Sequence, residues 1–152
     1  MGFFKEGKAM IKHMGETVCA AAGAVGGAIA AAFGGWSCDL TVLVAFMAID
    51  YLTGLLAAAL GKSPKTEGGG LSSAVGWLGL ARKAATLLLV LVAHGLDVML
   101  GAEYVRTAAV IAFIVNEALS ILENAGLLGV PLPEVIRKAL EVLRGRENPE
   151  EI

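Results

Sequence analysis

The sequence predicts an all-α integral membrane protein, with about four transmembrane helices and a C-terminal amphipathic helix. Three observations lead there. Of the 152 residues, 57% are hydrophobic and only 17% charged, against about 25% charged in an ordinary soluble domain. The charges are clustered, and the stretches between them approach or exceed the roughly 18 apolar residues that mark a membrane span. Residues 18–33, 40–60 and 84–92 also carry no polar stripe at helical period. A helix apolar all round is a span or a deeply buried core helix, and so short a chain cannot bury several helices deeply at once.

Residues 1–16 read as a mixed-charge cytoplasmic leader with Lys5, Lys8 and Lys12, and residues 17–122 as the transmembrane region. The first span, about 17–33, is nearly all Ala and Gly. The same pattern of lysines before an apolar run also suits a cleaved signal peptide, but nothing soluble follows to be exported, which favours a retained span. A Gly34-Gly35 turn with Trp36 at the membrane–water interface leads to the second span, about 40–60. After the loop at 61–70, residues 71–80 are apolar but too short to cross, and they read as an interfacial or re-entrant piece ending at Arg82 and Lys83. The third span covers about 84–100 and the fourth about 105–122. Residues 123–152 form a cytoplasmic amphipathic helix and tail. Pro133 opens that helix, with Glu134 in its first turn, and Leu132, Ile136, Leu140 and Leu143 share one face.

Lys and Arg concentrate in the leader, in the 61–83 region and after residue 136, while the turn near Trp36 has none and the third connection only Arg106. Basic residues stay on the cytoplasmic side. Both termini and the 61–83 region are therefore expected on the cytoplasmic side. Cys19 and Cys38 then lie near opposite faces, and no disulfide within the chain is expected between them.

Candidate functional residues are those that are costly in lipid. Asp50 stands near the middle of the second span, where an acid costs about 2.5–3.5 kcal/mol, and it must meet a partner or water. Gly54, Ala57, Ala58 and Gly61 make a small-residue face beside it, and Gly23, Gly27, Ala31 and Gly35 make another on the first span; such faces let helices pack closely. Asn116, Ser120 and Asn124 share a face of the fourth span, flanked by Glu117 and Glu123. Arg82 and Lys83 lie at matching depth as ion-pair candidates for Glu117 or Glu123. Asp97 is expected to pair with Arg106 at the outer surface. The plainer account of all these groups is structural pairing within one chain; the sharper one makes Asp50, Asn116, Glu117, Glu123 and Asn124 pore or trigger residues.

Other chemistries find no support. His94 and Asp97 share a face but lack the further ligands a metal site needs. No cofactor motif is present, since Gly68-Gly69-Gly70 precedes no phosphate-loop lysine. No catalytic constellation stands out, and a net charge of −2 offers no footprint for nucleic acid.

The motif Asp50-Tyr51-Leu52-Thr53-Gly54-Leu55, the path from Leu71-Ser72-Ser73 through Gly76 and Gly79 to Arg82-Lys83, the run Ala93-His94-Gly95-Leu96-Asp97, and the block from Asn116 to Gly126 followed by Gly129-Val130-Pro131-Leu132-Pro133 together resemble the phage holin family, which includes toxin-secretion holins. The resemblance covers about residues 40–143; the Ala/Gly-rich first span departs from it. It implies a non-enzymatic protein that associates with itself among membrane lipids and opens lesions for a cytoplasmic peptidoglycan hydrolase, its functional partner. A small ion or proton channel or transporter is the alternative, and a purely structural membrane scaffold a third reading.

A membrane-impermeant thiol reagent applied from outside is expected to label Cys38 and spare Cys19. The reverse pattern would overturn the predicted orientation.

Overall fold

A computed structural model describes the chain over residues 3–147, and its side chains at residue 10 and over residues 12–142. The tail at 148–152 and the side chains of Leu143 and Arg144 lie outside the described residues. Five helices follow in order: α1 (Phe3–Ala32), α2 (Cys38–Ala59), α3 (Ser73–Leu100), α4 (Val105–Leu128) and α5 (Glu134–Glu147). The chain forms two compact units, Met1–Trp36 and Ser37–Ile152. Four helices are long and apolar enough to cross a membrane: residues 12–32 of α1, and α2, α3 and α4.

The first unit is essentially α1. It takes in the leader as well as the apolar run, and Gly23 and Gly27 lie four residues apart along it. Gly35 falls beyond its end at φ +99°. It therefore helps to terminate the helix and does not continue the predicted ridge.

In the second unit, α2, α3 and α4 run up and down as an antiparallel set, with α4 packed most closely on α2 and then on α3. Their buried apolar seam is Leu40, Leu43 and Met47 of α2, Val90 and Ala93 of α3, and Val110 of α4. Ala57 is buried nearer the other end of α2. Outside this seam, Leu52, Leu56, Leu88, Val92, Ile111 and Val115 are each more than half exposed. So much apolar surface on three neighbouring helices suits lipid and not water.

Two boundaries differ from the sequence reading. Residues 71–80 are not a separate interfacial piece, because α3 runs unbroken from Ser73 to Leu100. Ser72 caps its start, its hydroxyl accepting from the Val75 amide, and no residue between that cap and Gly101 interrupts the backbone ladder. Lys83 lies inside this helix, so it drops out of the loop charges that set orientation. The fourth helix likewise continues past residue 122 to Leu128, and Gly129 ends it in the left-handed conformation. Gly126 stays helical, and the Leu132 side chain packs beside it. Gly61 lies beyond α2 at φ +70°, so the small-residue face of that helix stops at Ala57 and Ala58. In α5, Ile136 and Leu140 are half-buried while Val135 and Val142 are exposed.

The α3–α4 corner is held by Asp97, which is 5% exposed. Its two carboxylate oxygens accept the backbone amides of Val105 and Arg106 at 2.9 and 2.8 Å, which satisfies two of the orphan donors of the α4 N-terminus. The predicted partnership of Asp97 with the Arg106 side chain is thus corrected: Asp97 binds the Arg106 backbone. The guanidinium turns instead to the Ser37 hydroxyl, to which it donates, and lies 3.8 Å from Asp39. Asp97→Ala is expected to lower stability by about 1–2 kcal/mol, the usual cost of a lost helix cap, and Asp97→Asn by less. Thermal unfolding of the detergent-solubilised protein measures both.

Candidate functional site: a charged layer within the bundle

Asp50, Lys83 and Glu117 come from the three different helices of the second unit and meet at one point. At 1.5 Å per residue, Asp50 lies about 18 Å from the Cys38 end of α2 and about 14 Å from the Ala59 end. That is near the middle of an apolar layer about 30 Å thick. Exposed aromatic side chains mark two levels along α3. Trp77 stands near its start and Tyr104 just past its end, the positions that amphipathic rings take at membrane interfaces. Lys83 is about 9 Å deeper than Trp77.

The Lys83 ammonium donates to Asp50 Oδ2 at 2.7 Å and to Glu117 Oε2 at 2.5 Å. The three side chains are 13%, 13% and 8% exposed, so water screens them little. A cation between two carboxylates offsets much of the cost of burying each charge. Asn124, two turns beyond Glu117 on α4, completes the arrangement. Its amide donates to Asp50 Oδ1 at 2.9 Å, to the Asp50 backbone carbonyl at 3.2 Å and to Thr53 Oγ1 at 3.1 Å. Thr53 in turn donates back to the carbonyls of Ile49 and Asp50. Gly54 faces this contact, and a methyl group there would lie in ordinary van der Waals contact with the Asn124 amide.

Of the residues singled out in the sequence, the structure brings together Asp50, Lys83, Glu117, Asn124 and Gly54. Lys83 takes Glu117, as one of its two expected choices, and also Asp50, which the sequence reading had not paired with it. Glu123 is half-buried on α4. Arg82 and Asn116 are exposed and border the cluster. Thr53 and Tyr51 were missed. Tyr51 packs on a notch in α3, its ring and hydroxyl lying against Gly79 and Gly76. The signal for that contact was present in the glycines three apart, but only the facing tyrosine gives it meaning. No group of three or more potential metal ligands occurs among the described residues.

A cleft of about 410 Å³ opens beside the cluster and runs to the α2–α3 loop, bordered by Asp50, Lys83, Glu117 and Ser120 at depth and by Ser63 and Lys65 at the loop. The polar layer is thus buried among helices on one side and borders open space on the other.

A model of the Bacteriophage holin family matches residues 27–145. An uncharacterised protein of Halalkalibacterium halodurans is 36% identical over 127 residues, covering 80% of this chain and 89% of the relative. One from Clostridium perfringens is 39% identical over 118 residues, covering 76% and 82%. A protein of Bacillus phage phi105 named as a probable holin is 35% identical over 105 residues, covering 68% and 73%. No solved structure matches the chain.

Lys83→Met leaves two carboxylates facing each other in a buried site and is expected to cost about 3–5 kcal/mol. Adding Asp50→Asn and Glu117→Gln should recover most of that loss. Thermal unfolding in detergent tests the pair; a single variant as stable as the parent would remove the ion triad from the fold's requirements.

Proposed function

We propose, from the premise that this chain belongs to the bacteriophage holin family, that it is a non-enzymatic membrane permeabiliser. It accumulates in the bacterial cytoplasmic membrane, associates with copies of itself and opens lesions through which a cytoplasmic endolysin or another protein leaves the cell. The observation that carries this reading beyond the family is the Asp50–Lys83–Glu117 layer. A multi-pass membrane protein needs no charges at that depth merely to span. A lesion needs polar groups that can exchange helix partners for water, and this layer supplies them while keeping them paired in the closed protomer.

The remaining parts take roles in the same scheme. Gly23 and Gly27 on α1 provide a close-packing face for self-association. Both termini and the α2–α3 loop face the cytoplasm, where Lys62 and Lys65 remain as loop charges. The helix α5, with Arg137 and Lys138, rests on anionic lipid at that surface. Residues 1–11 act as a leader, 12–128 as the membrane region and those from 129 on as a cytoplasmic appendage.

Controlled expression in a bacterium, with and without a cytoplasmic wall hydrolase, tests the proposal. Growth should stop abruptly after a delay, and lysis should require the hydrolase. Asp50→Leu should shift that delay or abolish the arrest. Steady ion leakage without release of protein would favour a small channel instead, and harmless accumulation would favour a scaffold.

A further inference from the structure

The three helices repeat their inward-facing residues at intervals of seven, close to two helical turns. Stepping from the charged layer toward the α3–α4 corner, Asp50 is followed on its face by Leu43, Lys83 by Val90 and Glu117 by Val110. All three of these apolar residues are completely buried. Stepping the other way, the same faces carry Ala57, Gly76 and Asn124. One layer is filled by branched aliphatic side chains. Its counterpart is made of the two smallest residues and an amide already committed to Asp50 and Thr53. The α2 and α4 sides of this layer are closed, Ala57 and Asn124 being buried, and Tyr51 leans on Gly76; the volume left over is a cleft of about 410 Å³ between the α2–α3 loop and the charged layer.

We infer that each protomer contains a one-sided aqueous vestibule. It admits water and small hydrated ions from the α2–α3 loop side as far as Lys83, and the Leu43–Val90–Val110 layer bars them from going further. The cleft walls are polar enough to hold water, with Thr66 and Lys65 at the mouth and Ser120, Asp50 and Glu117 at depth. The second oxygen of Glu117 has no hydrogen bond among the described residues, and water in the vestibule supplies one. Beyond the barrier, the contacts of Arg106 with Ser37 and Asp39 and the Asp97 cap close the opposite end. The closed protomer is therefore already permeable for part of the membrane's thickness, and what separates the two sides is a thin apolar layer.

This inference rests on the membrane placement proposed above and not on lesion formation. The test uses the full chain with Cys19→Ser and Cys38→Ser, in membrane vesicles of both orientations prepared before growth arrest. Single cysteines are placed at Ser63 in the loop, Ser120 in the vestibule, Val90 in the barrier and Thr107 at the opposite end. The probe is a small, membrane-impermeant, cationic methanethiosulfonate. Ser120→Cys should react from the face that modifies Ser63→Cys and not from the face that modifies Thr107→Cys, and Val90→Cys should react from neither. Adding Ala58→Phe, which fills the cleft, should abolish modification at Ser120→Cys and leave Ser63→Cys reactive. An unreactive Ser120→Cys, one modified from the Thr107 face, a reactive Val90→Cys, or labelling indifferent to Ala58→Phe would each overturn the vestibule. Failure of hydrolase-dependent lysis with this labelling pattern intact would remove lesion formation alone.

Discussion

A lysine whose backbone lies about 9 Å along its helix from an exposed tryptophan, and whose side chain is nearly buried, must find anions, and here it finds two. Asp50 and Glu117 lie on helices that pack directly on each other, while Lys83 reaches in from the third. Much else follows from that one bridge. It fixes the depth of all three helices relative to one another, because sliding any helix by a turn would pull its charge away from its partners. It also explains the close approach at Gly54, where Asn124 comes in to hold the second oxygen of Asp50.

The bundle is asymmetric about this layer. On the side of the α3–α4 corner the seam is aliphatic and dry, and it ends in a carboxylate that caps α4 and an arginine that ties the bundle to Ser37 and Asp39. On the loop side the layer next to the charges is Ala57, Gly76 and Asn124, and the helices leave space beside it, lined by polar groups together with Tyr51, Leu55, Val75 and Leu127. Tight packing at one end keeps the charged groups in register, and looseness at the other gives water a way to them.

Lipid-facing surface makes up the rest of the spans. Leu52, Leu88, Val92 and Ile111 lie on the outside and need no protein partner, since in a bilayer apolar exposure costs nothing and unsatisfied backbone does. The helical backbone satisfies itself, and at the ends Ser72, Asp97, Gly101 and Gly129 deal with the groups left over.

By itself, the sequence determined the membrane-spanning helical class, the number of long apolar helices, the amphipathic last helix and the residues too polar to lie in lipid without reason. These depend on composition and local period, which a linear chain displays openly. Only the tertiary structure decided which of those polar residues meet. Arg82-Lys83 looked like a membrane boundary because a charge in an apolar run usually marks one. The acids that let Lys83 sit inside the span are 33 and 34 residues away in sequence, so no local pattern could reveal them. For the same reason Asp97 read as an ion-pair partner of Arg106, when the folded corner presents backbone amides to it. Register between helices is a long-range property, and it alone turns a list of intramembrane charges into one paired layer with a filled side and an open one.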